Sequence, residues 1–316
     1  MNSPPLLVIA GPTATGKTGL AIRTALALRA GGVPTEIISA DSRQVYRGLD
    51  IGTAKVTVAD RGGIRHHGLD LVDPDEPFSV ADFIRHARQA LDGIGRERGI
   101  AVLAGGTGLY LRAIARGLDP DALPSDPDRR REIDAAIEAD GLASAAERLV
   151  AIAPTRAARV DLRNPRRVSR ALELAELSGD ARLPAPIAYP GPIAWIGLDV
   201  DPTIHGEWIA NRAREQFASG LIEEARALRE HYDPALPPFS AIGYREAWGV
   251  LDGDLTREQG IEVDAARNVA FAKRQRTWFR REPEVVWLDA SSPDVDAVAA
   301  AAARRLLEGG TAEIAR

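Results

Sequence analysis

At 316 residues, 45% hydrophobic and without cysteine, the chain can bury a large α/β core but cannot form disulfides, zinc ribbons or a thiolate nucleophile. A formal net charge of −5 argues against coating nucleic acid through bulk charge. No apolar run is long enough to cross a membrane, and the first ten residues lack the basic region and cleavage site of a signal peptide, so a cytoplasmic protein with no membrane partner is expected.

In chain order, Leu6 to Ala10 reads as a buried strand that runs into Gly11-Pro12-Thr13-Ala14-Thr15-Gly16-Lys17-Thr18 and then a helical stretch. Strand, glycine-framed loop and helix is the context of a phosphate-binding loop, whose backbone N–H groups and helix N-terminus converge on one anion. Lys17 adds a point charge for an outer phosphate, and the Thr18 hydroxyl is placed to hold Mg2+ between two phosphates. Only Lys17, Lys55 and Lys273 are lysine among the 40 basic residues, which hints at a local need for an ammonium at each.

Thr35 to Ala40 reads as a second buried strand ending in Asp41-Ser42-Arg43-Gln44. Side chains at the carboxyl ends of parallel strands face the ligand crevice, so Asp41 faces the first loop as a general base, a metal holder or a turn cap. The glycine-rich stretch from Tyr46 to Thr57 carries Lys55 and reads as a substrate-facing loop, and Gly68 to Pro74 reads as a third strand after His66 and His67. Ser79 to Arg98 has the spacing of a crossover helix with Ser79 as its cap. Ile100 to Ala104 is a fourth buried strand, followed by Gly105-Gly106-Thr107-Gly108, whose glycines allow close backbone approach to a ligand. Glycine stands there where a P-loop ATPase carries its magnesium-ordering acid, so the loop is not expected to drive ATP hydrolysis.

From 119 to 192 the chain turns alanine- and arginine-rich, flanked by proline turns and without a convincing strand. These features predict a helical insertion, giving domains 1–118 with 193–316 for the core and 119–192 for the insertion. Arginines cluster at Arg129 to Arg131, across Arg163 to Arg170, and from Lys273 to Arg281. Each cluster reads either as a solvated helix face or as a phosphate-binding face on an acidic body. Ala194 to Val200 returns the chain to the sheet, a long amphipathic helix with Arg212 and Arg214 runs from about His205 to Glu230, and Val285 to Asp289 is a last strand before a terminal helix.

With these pieces in order, the chain resembles the bacterial tRNA dimethylallyltransferases. The matching segments are GPTATGKT, ISADSRQVYRGLDIGTAK, LAGGTGLYLRAI, NPRRVSRALEL, SAIGYRE, AKRQRTWFRR and VVWLD. The resemblance implies a P-loop NTPase-like, mostly parallel sheet core with a helical insertion, acting as a monomer. It implies transfer of a dimethylallyl group from dimethylallyl diphosphate to the exocyclic amine of the adenosine 3′ to the anticodon, in the tRNA anticodon stem-loop. Gly11 to Thr18 then holds the leaving diphosphate, Thr18 holds Mg2+, Asp41 matches the family's base, and Thr107 and Arg212 match residues beside the reacting groups. Asp41, Ser42, Arg43, Gln44, Thr107, Arg130, Arg166, Arg167, Val168, Ser169, Arg170, Ser240, Ala241, Ile242, Gly243, Tyr244 and Arg245 match segments that contact tRNA. Two departures stand out: Ser240 replaces a longer polar residue, commonly glutamine, and Asn268-Val269-Ala270 replaces Thr-Arg-Gln.

Two other enzymes could use the same loop and acid: an adenylate isopentenyltransferase acting on free nucleotides, and a P-loop small-molecule kinase. The arginine-rich insertion favours tRNA over free nucleotides, and the glycine-ended fourth strand disfavours the kinase. An RNA-binding protein with a dead loop is disfavoured by the intact set Lys17, Thr18, Asp41 and Thr107.

Overall fold

The computed structural model describes residues 3–117, 123–181 and 185–309. Its centre is strand β1, Leu6–Ala10, five consecutive apolar residues that a sheet must cover on both faces. Leu6 and Val8 enter one core while Leu7 and Ile9 enter the other, as the two-residue period of a strand requires. Helix α1, Lys17–Ala30, follows, then β2, Thr35–Ser39, β3, His66–His67, α2, Val80–Arg96, β4, Ile100–Gly105, and α3, Gly108–Ala115. The insertion supplies α4, Pro127–Asp140, α5, Leu142–Ile152, α6, Pro154–Ala157, and α7, Pro165–Ser178. The chain then forms β5, Ile193–Asp199, α8, Pro202–Ala218, α9, Leu221–His231, a 3-10 turn at Pro237–Ser240, α10, Tyr244–Leu251, α11, Arg257–Phe279, β6, Val285–Asp289, and α12, Val295–Leu307.

All six strands are parallel, in the order β3-β2-β4-β1-β5-β6. One face is covered by α2 and α3, where Phe83 stacks on Tyr110 with ring centroids 4.0 Å apart, and the other by α1 and α12. A third core, built on Phe239, Tyr244 and Trp248, joins the turn after β2 to α8, α9 and α10. This is the P-loop-type α/β architecture with the phosphate loop at the carboxyl end of the central strand, where open parallel sheets bind ligands.

The chain divides into two compact units, Met1–Leu118 with Ala188–Arg316, and Asp119–Ile187. The expected boundary at 118 to 119 lies outside the described residues. The sequence places the return to the core at 193, whereas the core unit resumes at Ala188, and the Tyr189 hydroxyl donates to the Pro4 carbonyl at 2.6 Å. The smaller unit has its own core, in which Ile133, Leu149, Val168 and Leu172 pack together.

Three local readings need correction. The expected strand at Gly68 to Pro74 is not formed. The paired residues are His66 and His67, after which Gly68 donates to the His86 ring and Asp70 takes a positive φ of 55°. The expected single helix from His205 to Glu230 is two helices, broken at Gly220, whose φ of 104° leaves the helical region. Lys55 does not face a substrate. Its ammonium is buried against Asp50 and Asp70, 2.6 Å from each, and the Tyr46 carbonyl at 2.8 Å, which closes the loop on itself. Only the ammonium is buried, and its three acceptors account for all its donors, so this lysine serves the structure of the loop.

Candidate active site

The phosphate loop is shaped from within. The Thr15 hydroxyl donates to the Pro12 carbonyl at 2.9 Å, and Gly16 caps α1 with a φ of 77°. The Lys17 ammonium also donates to the Pro12 carbonyl, at 2.5 Å. Burial and the nearby Arg212 guanidinium lower its pKa to about 7, against the opposing pull of Asp41. An anion in the loop would restore the charged form. Thr13, Ala14, Gly16, Lys17 and Thr18 line a cavity of about 250 Å³, and Asp41 and Arg212 complete its wall.

Asp41 stands just past β2, as the sequence places it. Its Oδ1 accepts from the N–H groups of Arg43 at 2.8 Å and Gln44 at 3.3 Å, so it caps its own turn as well as facing the cavity. The Thr107 hydroxyl accepts from the Ser42 N–H at 3.0 Å, which ties the loop after β4 to this turn. The Arg43 guanidinium reaches the Ser240 hydroxyl at 2.7 Å and the Pro237 carbonyl at 3.0 Å. Gln44 is mostly buried, its amide bonded to the Ser39 hydroxyl and to the Thr53 carbonyl, so it shapes the turn while lining the phosphate cavity.

A second cavity of about 420 Å³ adjoins the first. Ser42, Arg43, Thr107, Ser240, Ala241 and Ile242 line it, together with Arg267, Ala270, Phe271 and Arg274 of α11. Thr13, Asp41, Gly106, Arg212, Phe271 and Gln275 line both cavities, so the phosphate site opens into the second space.

Of the groups that hold this wall, the sequence singles out Arg212 and notes Asn268 as a departure, but gives no role to Asp264 or His205. Arg212 donates to the Thr13 hydroxyl at 2.7 Å and the Asn268 side-chain Oδ1 at 3.0 Å, and its burial lowers its pKa against the pull of Asp264 and Asp41. An arginine nevertheless stays charged at neutral pH. Asn268 in turn donates to Asp264 at 2.8 Å, whose pKa burial raises to about 6. Asn268, one of the residues that depart from the family pattern, therefore orients Arg212. His205 donates from Nε2 to the Thr13 carbonyl at 2.8 Å and accepts from Arg276 at Nδ1, a pair of bonds that only the neutral ring can make. Burial lowers its pKa in the same sense.

The remaining residues singled out by sequence are placed as follows. Gly243 and Tyr244 are buried, the Tyr244 hydroxyl donates to Glu224 at 2.8 Å, and Arg245 is exposed. In the smaller unit, Arg130 and Arg170 each place a guanidinium 2.6 Å from the buried Glu173. Burial opposes ionisation of Glu173, but bonds from Arg170, the Asp126 amide and Arg130 outweigh it and hold the carboxyl below its usual range. Val168 and Ser169 face that unit's core, whereas Arg166 and Arg167 are exposed and make no side-chain hydrogen bond or ion pair among the described residues.

Comparison with known proteins agrees with this geometry. The family model described as IPP transferase matches residues 44–282. A tRNA dimethylallyltransferase of Synechococcus sp. (strain CC9311) is 38% identical over 309 residues, spanning 98% of this chain and 95% of that protein. One from Methylococcus capsulatus is 40% identical, spanning 96% and 98%. The crystal structure of the full-length tRNA isopentenylpyrophosphate transferase from Bacillus halodurans superposes with a TM-score of 0.70 at 36% identity, covering 96% of this chain and 97% of that one. A eukaryotic dimethylallyltransferase acting on tRNA superposes with a TM-score of 0.79, covering 98% and 80%, and at 24% identity bears on the fold alone.

Proposed function

Because this chain belongs to the IPP transferase family, we propose that it transfers a dimethylallyl group from dimethylallyl diphosphate to tRNA, at the exocyclic amine of the adenosine 3′ to the anticodon. One observation carries the reading: a cavity suited to a diphosphate opens, past Asp41 and Arg212, into a second cavity large enough for a flipped-out base.

The chemistry follows from the groups present. The C1–O bond of the donor breaks and its electron pair leaves with the diphosphate. The amine lone pair forms the new N–C1 bond. That amine is a weak nucleophile because its lone pair is delocalised, so its proton must be accepted as the bond forms, and Asp41 is the carboxylate placed to take it. Charge growing on the leaving diphosphate is met by the loop amides, Lys17 and Arg212. The Thr18 hydroxyl is a hard oxygen donor in the wall of the phosphate cavity, which suits Mg2+ held mainly by the diphosphate. When bound, that ion would share the charge of the departing group.

The acceptor extends beyond the cavity. Arg166 and Arg167, exposed and uncommitted, are the insertion's best candidates for contact with the anticodon stem-loop backbone. That one chain lines both cavities supports a monomer, and tRNA as acceptor supports a cytoplasmic protein. The test is an assay with labelled dimethylallyl diphosphate and magnesium, without ATP, offering unmodified tRNA and AMP side by side. Label in tRNA alone is expected. Label in AMP would move the enzyme to free nucleotides, and no transfer by folded protein would overturn the reading.

A further inference from the structure

Thr13 has three polar groups, and each is held by a side chain from far along the sequence. Its carbonyl accepts from His205 and its hydroxyl from Arg212, while its N–H donates to the Gln275 Oε1 at 2.8 Å. The other end of the buried Gln275 donates from Nε2 to the Gly106 carbonyl at 2.9 Å. The partners fix the orientation of this amide, because an N–H can only donate and a carbonyl can only accept. A Cβ at position 106 would stand 2.5 Å from Nε2, so a glycine there lets the amide reach the chain. Gly106 precedes Thr107, whose hydroxyl accepts from Ser42 beside Asp41. One side chain thus joins the loop lining the phosphate cavity to the loop that braces the candidate base.

We propose that Gln275 is a positioning residue that holds the phosphate loop and the loop after β4 in register, keeping the leaving diphosphate and the accepting amine at reacting distance. This rests on the transferase reading above. Glutamine suits the task because it accepts at one end and donates at the other. Without it, His205 and Arg212 still hold Thr13, so the phosphate loop keeps its shape and its anion. What is lost is the tie between the two loops. Misplacement of reacting groups by about 1 Å costs on the order of 100-fold in rate, so the loss falls on kcat rather than on donor binding.

The test compares the whole protein with Gln275→Met, which keeps the length without the polar ends, and Gln275→Glu, which keeps the acceptor for Thr13 but cannot donate to Gly106 when ionised. Turnover on tRNA, affinity for inorganic diphosphate and thermal midpoint are measured for each. With an active parent enzyme, kcat is expected to fall about 10- to 100-fold in both variants, while diphosphate affinity stays within about threefold in Gln275→Met and drops in Gln275→Glu, whose carboxylate adds a like charge to the phosphate cavity wall. Unchanged kcat in Gln275→Met overturns the proposal. So does a parallel fall of kcat, diphosphate affinity and midpoint in Gln275→Met, which is what general loosening produces. A parent enzyme that transfers nothing to tRNA overturns the transferase reading instead, and is recognised before any variant is made.

Discussion

One oxygen of Asp41 holds a turn, and the other makes no hydrogen bond among the described residues. Asp41→Asn separates the two tasks, since the amide oxygen can still accept from Arg43 and Gln44 but the group cannot take a proton. Turnover is expected to fall about 10²- to 10⁴-fold, with the thermal midpoint and diphosphate affinity retained; a variant that turns over normally removes Asp41 from the chemistry. Lys17 allows a test of sign. Its pKa of about 7 without ligand means that much of it is neutral just above neutrality, and a bound diphosphate favours the ammonium. Affinity is therefore greatest below about pH 7, where the proton is already in place, and weakens as pH rises and each binding event must take one up. Calorimetry of dimethylallyl diphosphate binding near pH 8, in buffers of different ionisation enthalpy, is expected to show uptake approaching one proton in the parent. Lys17→Met should lack that uptake, and equal uptake in both would place the titration elsewhere.

Among the elements, α11 shows why the site was only half legible in the sequence. The phosphate loop could be read because its parts lie within eight consecutive residues, and β1, β2 and β4 because buried parallel strands are continuous apolar runs. Thr13 and Gln275, by contrast, are 262 residues apart, and Thr13 and His205 are 192 apart, separations at which no local pattern carries information. A charge cluster in sequence is also not one in space, because a helix turns successive residues to different faces. Arg274 lines the second cavity, while Lys273, Arg276 and Arg280 line a separate groove of about 770 Å³ in which Arg276 pairs with Asp199. Helix α7 gives the same lesson, since Arg170 is committed to Glu173 and only Arg166 and Arg167 remain outward. Changing both to alanine is expected to weaken tRNA binding and to lower the slope of log affinity against log salt by about 1 to 2. An unchanged slope would make this a solvated face.

For the whole molecule, the division into two units separates donor chemistry from the proposed hold on RNA. Every described residue found in the walls of the two cavities belongs to the larger unit. The smaller unit packs around Ile133, Leu149 and Leu172 in a core of its own, so its removal leaves the cores on both faces of the sheet intact. The phosphate loop is meanwhile held from α8 by His205 and Arg212 and joined by Gln275 of α11 to the loop after β4, all in the larger unit. Replacing residues 123–181 with a short Gly/Ser linker is therefore expected to leave a folded protein that binds dimethylallyl diphosphate within about threefold of the parent. Its affinity for tRNA should fall by more than tenfold, because the outward arginines of α7 are gone while the cavity proposed for the base remains. Calorimetry with the donor and a filter-binding titration with tRNA read the two arms separately. Loss of donor binding in a folded variant would mean that the insertion supports the phosphate site. Unaltered tRNA affinity would place the RNA contacts on the core unit, with Arg43, Arg245 and Arg274 the first residues to test.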